Sequence, residues 1–380
     1  MPPGLEQALG ALLLLLILLD VFLTVLYARA GTGIISYQLA RLIWRAFGVA
    51  SRPFGQGRST MLSFCGPTIL VLLVLVWALV LTLGGAMILH PQLGRAIQAD
   101  SGATPTDFVT AMYVAANSMS IVGSSGFSPK SEGTRLLFLY FSLTGLSVTS
   151  LTLTYLMQVY AALQRRNALG FAIELMSAET ADAAELLAGC GPRGQFNSGY
   201  TNLSSLAAAM TEVKESHHFY PVLFYFRFRE ASYSVSRICF MALDTVTLIK
   251  STLDDEHGAW LKESASVSQL ARASLRLLTT LEETFLGGAP DQLGLPDAAT
   301  QERWRRRYSA ALHRLREAGI ATTADEAAGA EHYVKLRAGW NGHIERLAPA
   351  MGYDREEIDH AAVDPAPERQ VLRGHLHSVR

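Results

Sequence analysis

The chain has 380 residues, half of them hydrophobic, with 17% charged and a formal net charge of −1. Charge so close to balance gives no sign of nucleic-acid binding, and this composition fits neither an ordinary soluble enzyme nor a fully embedded protein. The three cysteines, Cys65, Cys190 and Cys239, are odd in number and scattered, which excludes a disulfide framework and a CxxC metal pair and suits a reducing interior.

The two classes of residue are segregated. Residues 1–163 hold eight Lys/Arg and five Asp/Glu, whereas residues 164–380 hold 24 and 28. Three stretches are long enough to cross a ~30 Å hydrocarbon core, which takes about 20 apolar residues. The first, residues 8–27, is broken only by Asp20. A secretory signal competes there, since Ala28-Arg29-Ala30 has the look of a small-residue cleavage site, but the missing basic leader and the acid late in the run favour a retained helix. An acid inside a span is a functional candidate by default; from the inner half of the span, Asp20 is expected to snorkel toward Arg41 or Arg45 in a structural role. The second span, residues 67–89, has no charge, and its Gly84 and Gly85 are read as close-packing positions. The third, residues 136–163, is longer than a bilayer requires.

Arg29, Arg41, Arg45, Arg52 and Arg58 stand between the first two spans with no acid from Val21 to Ala99, so that connection is expected on the cytoplasmic side. This places the N-terminus outside and the C-terminal part inside, in the plasma or inner membrane. Within the loop, Ile35, Leu39, Leu42, Ile43, Ala46 and Phe47 recur at helical spacing, as in an amphipathic helix lying on the inner leaflet or packed against the cytoplasmic part. On the far side, Thr104-Pro-Thr-Asp107 reads as a cap before FVTAMYVAANSM, a half-helix too short to span. It runs into SMSIVGSSGFSP, residues 118–129, seven of which are Ser or Gly. Irregular backbone at membrane depth is tolerated only where protein buries it or water reaches it. A re-entrant helix followed by an extended filter strand fits that order.

These residues resemble the pore-loop potassium channels in their bacterial one-pore-loop form. Placed on the family pattern TxTTVGYGDxxP, the chain reads Ser118-Met-Ser-Ile-Val-Gly-Ser-Ser-Gly-Phe-Ser-Pro129. The resemblance covers residues 63–163 and implies an outer helix, a pore helix, a selectivity filter over Ser120, Ile121, Val122, Gly123, Ser124, Ser125 and Gly126, and an inner helix with a hinge at Gly145. It also implies a homotetramer in the lipid bilayer, because one chain supplies one pore loop, with K+ or Na+ as the permeant ion and no other cofactor or metal. Ile121 stands where a threonine lines the innermost site, Ser124 where a tyrosine braces the filter, Ser125 where a glycine takes positive φ, and Gly126 where an aspartate ends it. Selectivity is therefore expected to be weak. In a second register, Ser125-Gly-Phe-Ser128 is similar to the single-glycine filter of potassium-uptake transporters. An anion pore and a non-conducting sensor or scaffold remain as alternatives.

In the third span, Ser147, Ser150, Thr154 and Gln158 share one helical stripe, read as pore lining or as hydroxyls bonded to their own backbone. The expected architecture is an all-α membrane protein: a helix and amphipathic segment at residues 1–62, a pore module at 63–163, an all-helical cytoplasmic domain at 164–360, and a tail at 361–380 with no expected order. In the helical domain, apolar periodicity runs through residues 169–187, 203–213, 222–249, 261–285, 304–315 and 327–347. His217-His218 is read as packing against the aromatic run 224–228 rather than as a metal or pH site. The basic run 303–307, with Arg314 and Arg316, is read as a solvated or subunit-bridging face, the alternative being contact with anionic lipid or a ligand. No nucleophile-base pair, phosphate loop or zinc ligand set suggests an enzyme; an unidentified ligand or protein partner of this domain is left open.

Overall fold

The computed structural model of the chain describes residues 1–27, 33–121, 123, 126–288 and 296–359. Val122, Ser124 and Ser125 of the expected filter, the sequence Ala28-Arg29-Ala30 and the tail at 361–380 lie outside the described residues. Helix accounts for 79% of the described residues, which places the structure in the all-α class. Two compact units form: Met1–Arg165 with Glu215–Arg229, and Arg166–Lys214 with the described residues from Glu230 onward.

The first unit contains three helices long and apolar enough to cross a membrane: Pro3–Leu26, Arg58–Gln92 and Glu132–Met176, the last continuing past this unit. The first begins as α1 (Pro3–Val21) with a proline in its first turn, where the missing N–H has no helical partner to lose, and ends in a π-helical turn, Phe22–Leu26. After α2 (Ile35–Ala50) and α3 (Arg58–Ser63), α4 (Cys65–Leu89) packs along α1. Glycine permits that approach: a Cβ on Gly10 would stand 2.6 Å from the Gly84 carbonyl oxygen, and one on Gly84 would stand 2.9 Å from Leu14 Cγ. Gln7 donates to the Ile88 carbonyl at 3.2 Å and Glu6 meets His90 at 2.7 Å, tying the same pair at one end.

Asp20 is fully buried and reaches neither Arg41 nor Arg45 in the hydrogen bonds it makes. It accepts from the Ile35 amide at 2.7 Å, the Ser36 amide at 3.3 Å, the Ser36 hydroxyl, and Trp77 Nε1 at 2.8 Å. The snorkelling expectation fails because the first turn of α2 brings unpaired N–H groups to the carboxylate. A buried acid is better satisfied by such donors than by a distant guanidinium. Asp20 therefore caps α2 from another helix and ties it to α4.

In the second unit, α9 (Val235–Thr252) is buried at every position except Lys250, as a central core helix must be. Around it in sequence come the end of α6 (Glu132–Met176), α7 (Ala183–Cys190), α8 (Asn197–Phe219), α10 (Asp255–Lys262), α11 (Ala265–Phe285), α12 (Ala298–Glu317), α13 (Glu326–Ala338), α14 (Asn341–Ala350) and α15 (Arg355–Ile358). Side chains of Asp182, Ser234, Asp254, Ser264, Asp297 and Asp325 cap α7, α9, α10, α11, α12 and α13 in turn. The apolar run at 222–249 does not form one helix. Pro221 opens a 3-10 turn, Pro221–Tyr225, a second follows at Ala231–Tyr233, and α-helix resumes at Val235.

The basic run is a solvated face only in part: Arg306 and Arg316 are exposed, whereas Arg307 turns inward to a buried acid. Arg307 donates to the buried Asp244 at 3.0 and 2.7 Å, Arg305 pairs with Glu331 at 2.8 Å, Arg314 with Glu185 at 2.5 Å and Arg316 with Glu326 at 2.6 Å. Carboxylates of the same unit meet these guanidinium groups, and Tyr333 and Arg337 complete the centre by donating to or facing Asp244.

Candidate functional site

The loop between α4 and α6 begins with a short strand, β1 (Ile97–Ala99), and then enters α5 (Phe108–Met119). The expected cap is present. Asp107 accepts from the Thr110 amide at 2.9 Å and the Thr110 hydroxyl at 2.7 Å, and these bonds hold its carboxyl below the usual carboxylate range. α5 therefore carries a fixed negative charge at its N-terminus, and its C-terminal dipole end leads into Ser120.

Two glycines hold the C-terminal end of α5. A Cβ on Gly85 of α4 would stand 2.7 Å from Met119 Cε, and one on Gly145 of α6 would stand 2.6 Å from the Met119 carbonyl carbon and nearer still to its oxygen. Gly145, expected as a hinge, lies inside the unbroken helix α6 and admits the α5 backbone against it. Beside this contact is a cleft of about 420 Å³ whose lining includes Trp77, Leu81, Met119, Ser120, Thr149 and Thr152.

Beyond α5 the chain leaves helical geometry at Ser120, with ψ 159°. The Ser120 hydroxyl accepts from the Gly123 amide at 3.3 Å. Ile121 is 77% exposed. Gly123 and Gly126 have φ of +68° and +69°, the left-handed region that glycine enters without a Cβ penalty. The loop then forms β2 (Phe127–Pro129), antiparallel to β1 with Ala99 opposite Phe127 and Ile97 opposite Pro129. The Asp100 amide donates to the Gly126 carbonyl at 2.9 Å, and the Ser128 hydroxyl donates to the Asp100 carboxylate. Sequence reasoning missed this brace, because three-residue strands fall below the length at which alternation is detectable.

Of the expected filter residues, the described ones, Ser120, Ile121, Gly123 and Gly126, are each exposed and stand between α5 and β2. Ser147, Ser150, Thr154 and Gln158 are all exposed on one face of α6, uncovered by the helices of their own chain. Thr154 donates to the Ser150 carbonyl at 3.0 Å, so its hydroxyl is bonded to the helix backbone as one of the two expectations held. Among the described residues, a group with metal-ligand spacing is Asp254, Glu256 and His257.

The fold is compatible with an all-α membrane protein that carries the short helix α5 and two left-handed glycines, Gly123 and Gly126, between its second and third long helices. Comparison with protein-family models, curated proteins and solved structures finds no match to this chain.

Proposed function

We propose that the chain is one subunit of a homotetrameric pore that conducts monovalent cations with weak preference for K+ over Na+, and that α5 and residues 120–126 form its re-entrant helix and filter. The observation that carries this reading is the order of parts: a capped 12-residue helix seated between two long apolar helices by Gly85 and Gly145, opening into a turn with two left-handed glycines. A helix too short to cross the membrane, with its negative dipole end at the turn, suits a cation held at the axis of several copies. The uncovered Ser147-Ser150-Thr154-Gln158 face of α6 supports a wet lumen on the inner side. The charge asymmetry of residues 28–58 supports an N-terminus outside and a cytoplasmic helical domain.

The test is reversal potential in planar bilayers, first in K+/Na+ and then in KCl gradients. A cation-side potential with small K+/Na+ discrimination is expected; a chloride-side potential, or no current from a tetrameric preparation, overturns the reading. Replacing Ile121→Thr, Ser124→Tyr, Ser125→Gly and Gly126→Asp together should raise the K+ preference.

A further inference from the structure

Residues 220–228, Tyr-Pro-Val-Leu-Phe-Tyr-Phe-Arg-Phe, belong to the membrane-helix unit, although the chain enters from the second unit at Glu215 and returns to it after Arg229. Val222, Leu223, Phe224, Tyr225, Phe226 and Arg227 are all buried. The Tyr220 and Tyr155 rings are 6.0 Å apart, and Phe226 meets Tyr160 edge-on at 6.2 Å, so two rings hold α6. Tyr225 lies 5.7 Å from Trp44 of α2. Phe226 also occupies the space left by Gly66 in the first turn of α4, where a Cβ would stand 2.6–2.8 Å from its ring atoms. Arg227 donates to the Ser59 carbonyl of α3 at 3.3 Å and to the Ser59 hydroxyl. One short segment therefore touches α2, α3, α4 and α6 of the same unit.

Tyr155 and Tyr160 lie ten and fifteen residues beyond Gly145, or roughly 15–22 Å along α6 at 1.5 Å per residue. The helix is thus gripped at two levels: by Met119 at the glycine turn's end and by the aromatic segment further along. A rigid helix transmits a displacement at one grip to the other, and packed rings have discrete seated and unseated arrangements rather than a continuum.

We propose that residues 220–228 form a coupling wedge through which the second unit, joined to both of its ends, sets the position of α6 and so opens or closes the pore. This rests on the pore reading above and adds its regulation. Tyr155, Tyr160, Trp44 and Gly66 are positioning residues for the wedge.

The experiment uses the full-length protein in liposomes, with Phe226→Ala and, from the half-exposed side of the same contact, Tyr160→Ala, which leaves the buried core of the unit intact. Hydrogen exchange over residues 150–163 and 220–228 is measured alongside single-channel recording. Loss of an aromatic contact is worth up to about tenfold in an equilibrium. Both variants should speed exchange in both segments and change open probability by about that factor, with unitary conductance and reversal potential unchanged. If residues 220–228 are freed while 150–163 keep wild-type exchange, the wedge does not hold α6 and the proposal falls. It also falls if both segments loosen and open probability stays the same. If the wild type carries no current, the pore reading fails and with it the gating role. The exchange data then decide by themselves whether the segment grips α6.

Discussion

Gly145→Ala separates the two roles open to that glycine. The new methyl would stand 2.6 Å from the Met119 carbonyl carbon, against the ~3.5–4.0 Å at which carbon atoms pack. The Met119 carbonyl oxygen would stand closer still, so α5 and α6 must part by more than about 1 Å, and the obstructing atoms are backbone, which cannot rotate away as a side chain would. Overpacking typically costs about 1–3 kcal/mol, and an unyielding backbone neighbour puts this case at the upper end. An upper value of ~3 kcal/mol corresponds to somewhat more than a hundredfold rise in opening of the α5 contact. Hydrogen exchange of α5 amides in the purified protein measures it directly. Gly133→Ala serves as control, since nothing lies within 4 Å of a Cβ there and the substitution should be neutral or mildly stabilising on helix propensity. Protection of α5 within threefold of wild type in Gly145→Ala would refute the contact and return the position to a hinge, for which only gating kinetics should change.

Two further outcomes follow from buried acids and one from a histidine near lysines. Asp20→Leu removes the acceptor of the Ile35 and Ser36 amides and of Trp77 Nε1, leaving buried donors unmet at about 1–3 kcal/mol each; exchange at residues 35–36 should rise and Trp77 emission should shift. Asp244→Asn leaves Arg307 and Arg337 buried with weakened compensation, and breaking a buried pair costs about 3–5 kcal/mol, so thermal unfolding of the second unit should fall by roughly 10 °C. A change under 2 °C would show the charge is dispensable. His332 is held below the ordinary histidine value by partial burial first, then by Lys262, Lys335 and Lys250. Its neutral form is thus favoured in the folded state, and it subtracts stability as pH falls through ~6.5 and below. His332→Gln should flatten that acid-side loss in a denaturant series at pH 5 and pH 7, and an unchanged slope would remove the effect.

Legibility divides along the range of the forces. The Asp107 cap, the 12 residues of α5 and the start of α2 at Ile35 could be read because capping and apolar periodicity involve neighbours three or four residues apart. The gaps in apolar periodicity at 214–221 and 316–326 were legible for the same local reason. The course of residues 220–228 was not, since apolar residues at that density suit a buried helix as well as a non-helical wedge, and only packing of Tyr220 against Tyr155 and of Phe226 against Tyr160 and Gly66 distinguishes them.

By itself, then, the sequence determined that three apolar helices are long enough to cross a bilayer, that a short capped helix stands between the second and third, and that the charged remainder is helical. These follow from length, composition and hydrogen bonding within a few residues. Only the tertiary structure decided that Asp20 caps α2 and meets Trp77 rather than an arginine, that Gly145 admits the Met119 carbonyl, that Arg307 is buried against Asp244, and that residues 215–229 join the membrane helices. Each of those depends on atoms distant along the chain, 57 residues apart for Asp20 and Trp77 and 63 for Arg307 and Asp244. A buried charge or a missing Cβ selects its partner by geometry that no local pattern encodes.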